Sequence, residues 1–151
     1  MRQFTIMTDV NTDVFPGYAK KEEIIILPQY YHFNDGIIYG DEINLSAEEF
    51  YGRLAAGEKS LSMGCNPARV RELFEEELKK ERDILCIMFS SQLSGSYSTA
   101  VMVARELMEE YPERRIYVMD SLNASAGAGM MVYMARDLQK QGMEADIILQ
   151  K

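Results

Sequence analysis

The feature that most constrains this chain is an apolar run, Ile84-Leu-Cys-Ile-Met-Phe89, that passes straight into Ser90-Ser-Gln-Leu-Ser-Gly-Ser-Tyr97 and then into a helical pattern. A strand feeding a polar loop that opens a helix is the repeating unit of parallel sheets, and the start of such a helix is electrically distinctive. Its first backbone N–H groups lack intrahelical partners, and the aligned peptide dipoles place partial positive charge there. A carboxylate or a phosphate fits that end. Ser90, Ser91, Ser94 and Ser96 surround it with hydroxyls, and Gly95 lets backbone approach a ligand without an intervening Cβ. The loop itself contains no Lys, Arg, His, Asp or Glu. It is expected to hold an anion by neutral donors and to offer no charged group for acid–base chemistry.

Four further apolar runs have strand character: Phe4 to Thr8, Ile24 to Phe33, a short Ile37 to Tyr39, and Ile116 to Met119. The later runs are continuous rather than alternating, as in strands covered on both faces. Helical patterns lie between them. Ser46-Ala-Glu-Glu49 has capping-box spacing, with Phe50 and Leu54 following on one face. Val70, Leu73, Phe74 and Leu78 repeat at helical spacing, as do Tyr97, Ala100, Val101, Ala104 and Met108 before Tyr111-Pro112 stops the run. Met130, Met131, Met134 and Leu138 mark a last full helix closed by Gly142. Strands alternating with helices predict an α/β fold with a mainly parallel sheet, helices on both faces, and right-handed crossovers. Ligands of such sheets bind beyond the carboxyl ends of the strands. Three polar loops follow strand ends there, Asp9 to Asp13, Ser90 to Ser96, and Asp120 to Gly129. A fourth, Ser60 to Pro67, precedes a helix.

The 151 residues suit a single domain, 1–151, with a proper core. A formal charge of −8 without any basic run excludes a nucleic-acid-binding surface. No apolar stretch is long enough to span a membrane, and the N-terminal residues lead directly into a strand, so a cytoplasmic protein is expected. Cys65 and Cys86 are too few for a disulfide framework or a zinc cluster, so neither a metal nor a cofactor is expected. The last residues, Glu144 to Lys151, look like an amphipathic helix that stops after two turns, as if the chain were cut from something longer.

Each motif also has a bland reading. Serine-rich loops often do no more than cap a helix. Gly127-Ala-Gly129 resembles part of a phosphate loop but lacks the full glycine pattern and a nearby Lys, so close helix–strand packing explains it better. A serine hydrolase needs a base beside its nucleophile, whereas the sole histidine, His32, sits on a strand and no G-x-S-x-G elbow exists. No catalytic residue is therefore assigned. Asp9, Asp120 and the adjoining Ser121 lie at strand ends and are further candidates for ligand contact, the aspartates also for metal, although turn formation and capping are the usual work of aspartate. The eleven Met residues suit a core, and also the wall of an apolar ligand tunnel.

Thr8-Asp9, Ile26-Leu-Pro28, Asp35-Gly36, Tyr39-Gly-Asp41, the segment Ser90-Ser-Gln-Leu-Ser-Gly-Ser-Tyr97, and Asp120-Ser121 together resemble the DegV family of bacterial fatty-acid-binding proteins. The likeness covers essentially the whole chain, and its most specific element is the serine segment, with Ser96 where the family usually has Thr. Val10 stands where the family tends to have Ser. The resemblance implies the N-terminal half of a two-domain protein, with the C-terminal domain absent here. It implies a long-chain fatty acid enclosed between the domains and presented to a separate fatty acid kinase, the binding protein itself being no enzyme. The ligand-binding positions carried over are Ser90, Ser91, Ser94, Gly95 and Ser96, together with a hydroxyl-bearing pair in the loop before the next helix. That pair, usually Thr-Ser, falls on Ser62-Met63 if Asn66-Pro67 is kept in register, and on Gly64-Cys65 in a shifted alignment.

An acyl ligand also makes physical sense. Each buried methylene contributes about 0.8 kcal/mol, so about fourteen give about 11 kcal/mol gross, against about 1.5–3 kcal/mol for each hydrogen bond to a carboxylate. The tail would dominate affinity, and the serines would fix orientation. An isolated domain, with one wall of the tunnel missing, is expected to expose an apolar cleft and form a homodimer through it. Two other classes fit the same loop. One is a phosphotransfer or kinase-related domain, like that of dihydroxyacetone kinases, holding a phosphate-bearing small molecule. The other is an interaction module whose loop merely caps a helix.

Overall fold

The computed structural model describes residues 3–150. Along the chain run β1 (Phe4–Asp9), a 3-10 turn (Val10–Thr12), α1 (Pro16–Lys21), β2 (Ile25–Leu27), β3 (Tyr30–His32), β4 (Ile38–Tyr39), α2 (Ala47–Ala55), β5 (Leu61–Met63), α3 (Pro67–Lys79), β6 (Asp83–Met88), α4 (Ser96–Glu110), β7 (Ile116–Asp120), α5 (Ser125–Lys140) and α6 (Ala145–Ile148). The main sheet has the order β2-β1-β6-β7, all parallel. Alternation along β6 divides the core between its two faces. Ile84, Cys86 and Met88 pack with Val70, Phe74, Ala100 and Leu107 of α3 and α4, while Leu85 and Ile87 pack with Ala19 and Val132 of α1 and α5. The expected α/β architecture with helices on both faces is therefore present.

Because β1 leads outward to β2 on one side and β6 leads to β7 on the other, the strand order reverses between β1 and β6. That places a topological switch point, and hence a crevice, at their carboxyl ends. The capping box at Ser46 forms as its spacing predicts, with Ser46 Oγ accepting from the Glu49 amide and Glu49 Oε2 accepting from the Ser46 amide. Gly142 adopts φ +86° just past α5, the left-handed turn that a helix-closing glycine supplies.

Two expectations are corrected, and one short helix was not foreseen. Ile24 to Phe33 is not one strand. It breaks at Pro28-Gln29 into β2 of the main sheet and β3 of a second, antiparallel sheet of order β4-β3-β5. Proline has no N–H to give a ladder, which favours the break there. The stretch Ser60 to Pro67 is not wholly loop, since Leu61–Met63 forms β5 against β3. The six-residue α1 has too few apolar positions for a periodic signal, although Pro16 at its first turn and Lys20-Lys21 in its last are helix-end residues. Of the expected terminal helix the structure holds α6; Lys151, like Met1 and Arg2, lies outside the described residues. The small sheet is fastened by an aromatic cluster on one face. Tyr31 stacks on Tyr39 with centroids 5.2 Å apart, Phe50 of α2 meets Tyr31 edge-on, and the Arg53 guanidinium lies over Phe33 at 3.9 Å.

Gly129 explains the close packing expected of the Gly127-Ala-Gly129 pair, because a Cβ there would stand 2.4 Å from the Thr12 carbonyl oxygen in the turn after β1. Gly129→Ala is predicted to cost about 1–3 kcal/mol through overpacking against backbone. Gly52→Ala, on a helix with nothing within 4 Å of the added Cβ, should gain about 0.5–1 kcal/mol. Urea midpoints of the two variants decide; equal shifts would refute the close approach of α5 to the turn.

Candidate anion site at the β1–β6 switch point

The loop after β6 is held by carboxylates from its neighbours. Asp9, fully buried at the end of β1, accepts at Oδ1 from the Asn11 amide at 2.8 Å and at Oδ2 from the Phe89 amide at 2.8 Å. It thereby caps its own turn and ties it to the first residue beyond β6. Burial raises the Asp9 pKa, although those amides pull the other way. Asp120, at the end of β7, accepts at Oδ1 from the amides of Ser91 (3.1 Å) and Leu122 (3.0 Å). Desolvation opposes its ionisation, but the Ser91 hydroxyl and these amides together outweigh it and hold the carboxyl below its usual range. The loop contains no charge of its own. The structure brings two carboxylates to it from the ends of the neighbouring strands.

The serines, equivalent as residue types, divide by environment. Ser90 is buried; its Oγ accepts from the Gln92 amide at 3.2 Å and its amide donates to the Asn123 carbonyl at 2.8 Å. Ser91 is engaged with Asp120. Ser96, at the first position of α4, is buried; its Oγ accepts from the Cys65 amide at 3.0 Å and lies 3.0 Å from Ser94 Oγ. Ser94 is half-buried, and its Oγ also accepts from the Ser96 amide at 3.1 Å. Gly95 is exposed at φ −73°, and a Cβ there would meet nothing within 4 Å. Nothing inside the protein requires its small size. Ser121 is buried, its Oγ donating to the Asn123 carbonyl and its amide bonding the Met88 carbonyl, so it fastens the β7 loop to the end of β6.

The pair before α3 that meets this loop is Gly64-Cys65. A Cβ at Gly64 would stand 3.1 Å from Ser96 Oγ and 3.8 Å from Ser94 Oγ. Ser62 and Met63 lie on β5, so their side chains take opposite faces of the small sheet. Ser62 pairs across with Tyr31 on the aromatic face, and Met63 pairs with Tyr30. Met63, Tyr30, Ile38, Gly64 and Cys65 line an open groove of about 390 Å³ that begins beside Ser94 and Ser96. Keeping Asn66-Pro67 in register points instead to Ser62-Met63, so the sequence does not single out Gly64-Cys65. Burial pushes the Cys65 thiol up to about 11, so it is protonated at neutral pH and is no nucleophile. His32 lies on β3 with Nδ1 3.1 Å from the Phe33 carbonyl oxygen.

A second groove, about 460 Å³, is at the opposite edge, with Gln3 to Ile6, Glu22, Glu23, Arg82 and Arg136 in its lining. Its two arginines are already paired, Arg136 with Glu22 at 3.0 Å and Arg82 with Glu77 at 3.5 Å, and it lies at the amino ends of the strands. The switch point is therefore the better candidate site. Among the described residues no three His, Cys, Asp or Glu side chains converge as a metal site, and no helix is long and apolar enough to cross a membrane.

The model of the DegV family, described as uncharacterised protein, matches residues 3–151. A DegV domain-containing protein of Clostridium perfringens is 34% identical over 98% of this chain and 51% of its own length, and one of Caldanaerobacter subterraneus is 30% identical over 99% and 51%. The chain thus spans about half the length of these relatives. Among solved structures, a DegV family protein from Thermus thermophilus, described by its fatty acid binding, superposes with TM-score 0.86 at 26% identity, covering 99% of this chain and 51% of that one. A stearic-acid-binding protein from Eubacterium ventriosum superposes at 0.89 and 19% identity over 98% and 51%, a likeness of fold.

Since Asp120 has a lowered pKa, its ionised form stabilises the fold above the unfolded value of about 3.9, and that contribution is lost as pH falls through the lower folded value. Asp120→Asn keeps Oδ1 as an acceptor but removes the charge. Its stability deficit against wild type, measured by urea unfolding, should be constant from about pH 7 to 5 and close below about pH 4. A deficit that persists unchanged at acid pH would show that the charge holds nothing.

Proposed function

The chain belongs to the DegV family, and from that premise we propose that it binds a long-chain fatty acid, with the carboxylate at the start of α4 and the acyl chain leaving along the Tyr30–Ile38–Met63 groove. The observation that carries this reading is the conjunction of Ser94 and Gly95. Ser94 presents a half-buried hydroxyl at a helix N-terminus, and Gly95 leaves open space beside it with no internal reason to be small. The groove that starts there is walled by apolar and aromatic side chains, which suits a hydrocarbon tail. Ser90, Ser91 and Ser96 act mainly in holding the loop, so the bland capping reading describes them well; Ser94 and the Tyr97 and Ser98 amides in the first turn of α4 are left to the ligand.

A monoanionic carboxylate fits this seat better than a phosphate dianion. Asp9 and Asp120 already occupy nearby loop amides with negative charge, and repulsion grows with the ligand's charge. The kinase-related alternative is disfavoured on that ground. Exposed Val10, Leu93 and Leu122, each on a loop beyond a strand's carboxyl end, form an apolar rim through which a partner fatty acid kinase would reach the carboxylate. In the isolated domain the same rim is the surface for pairing with a second copy. The binding role needs no catalytic residue on this chain.

Native mass spectrometry after incubation with an equimolar mixture of hexadecanoate and hexadecyl phosphate tests the reading directly. The acid should be retained in preference. Ser94→Ala should weaken its binding by about tenfold, the loss of about 1.4 kcal/mol of hydrogen bonding, while Ser62→Ala on the aromatic face should change it less than twofold. Preferential retention of the phosphate, or a larger effect at Ser62, would overturn the assignment.

A further inference from the structure

Counting donors at the head of α4 settles which serine can speak to a ligand. Two oxygens, Ser94 Oγ and Ser96 Oγ, lie 3.0 Å apart and share one hydrogen between them. The Cys65 amide donates to Ser96 Oγ, and the Ser96 amide donates to Ser94 Oγ. Two arrangements balance the hydrogens. If Ser94 donates to Ser96, then Ser96 Oγ accepts twice and its own hydrogen needs an acceptor inside the protein. Ser96 is 1% exposed, and among the described residues the one further side-chain partner its hydroxyl meets is the Cys65 thiol, whose sulfur is a weak acceptor. A buried hydroxyl left with only a sulfur acceptor is disfavoured against one that donates to oxygen. If Ser96 donates to Ser94, every buried donor is used. Ser94 Oγ then accepts from both the amide and the hydroxyl of Ser96, its two lone pairs are filled, and the one spare hydrogen sits on the half-buried residue facing the open space beside Gly95.

We propose that Ser96 is a positioning residue that fixes the polarity of Ser94, making Ser94 a donor-only hydroxyl and the seat selective for head groups that accept hydrogen bonds over those that donate them. The proposal rests on the fatty-acid reading for its ligand but not for its geometry. Gly64 takes part, because any side chain there would crowd Ser96 Oγ, the hinge of the relay. An alkylammonium presents only donors to this hydroxyl, whereas a carboxylate presents only acceptors. The consequence is a preference set by one hydrogen's direction rather than by charge within the loop.

Two measurements on the 151-residue chain test this. In the ligand-free protein, proton NMR should find a slowly exchanging hydroxyl hydrogen on Ser96 and none on Ser94. Protection on Ser94, or its absence from Ser96, overturns the proposal whether or not any fatty acid binds. In the second, dissociation constants for dodecanoate and dodecylammonium are compared in wild type, Ser96→Ala and Ser96→Thr. Removing the hydroxyl leaves Ser94 Oγ with a free lone pair, so the acid-over-amine ratio should fall at least about threefold in Ser96→Ala and return in Ser96→Thr, a shift of about 0.6 kcal/mol in selectivity. An unchanged ratio with both affinities lowered equally would mark Ser96 as merely structural and refute the proposal. Failure of wild type to bind either compound would count against the fatty-acid reading and leave the hydroxyl measurement to decide this one.

Discussion

The buried carboxylate of Asp9 is the interaction on which the candidate site depends. It sits where the strand order reverses, and with one oxygen on its own turn and the other on the Phe89 amide it fixes the two loops that leave the crevice in opposite directions. Thr8 supports it, donating to the Ile87 carbonyl at 2.7 Å across the same strand pair. Burying a carboxylate carries a desolvation cost that its hydrogen bonds must offset. The raised pKa records that the offset is incomplete. What this arrangement secures is geometric: the serine loop is anchored at Phe89 by Asp9, at Ser91 by Asp120, and at Ser96 by the Cys65 amide. A loop pinned at three points along eight residues can present one hydroxyl in a fixed direction.

Anchoring by acids also sets the electrostatic character of the seat. Positive potential from the first turn of α4 is opposed by the carboxylates behind the loop. A weakly charged head group held by few hydrogen bonds is the ligand such a balance favours, with affinity drawn from the tail in the apolar groove. On the proposed reading, orientation and affinity would be carried by separate parts of the molecule, the α4 head and the outer face of β3 and β5.

Much of this was legible in the sequence. The strands Phe4–Asp9, Asp83–Met88 and Ile116–Asp120 are strongly apolar, and their long amphipathic partners repeat cleanly, so the parallel sheet and both helical layers followed from periodicity alone. The capping box at Ser46 and the glycine past α5 were readable because local chemistry dictates them. The small sheet was not. Its strands have two or three residues, too short for alternation to register, and β5 carries Ser62 between apolar neighbours in a way that reads equally as loop. The serine segment was visible as a candidate site, but the division of labour within it depends on Asp9, Asp120 and Cys65, all distant in sequence. That Gly64 rather than Ser62 lies against Ser96 was likewise visible only in the fold.

The account stands or falls on where a fatty acid's carboxylate sits. Amide chemical shifts of the labelled chain, followed during titration with dodecanoate, report that position residue by residue. The prediction is that the largest changes fall on Ser94, Gly95, Tyr97 and Ser98 at the head of α4, with smaller ones along Tyr30, Ile38 and Met63. Changes centred instead on Gln3 to Ile6 and Arg136 at the opposite edge, or no changes at all, would contradict it.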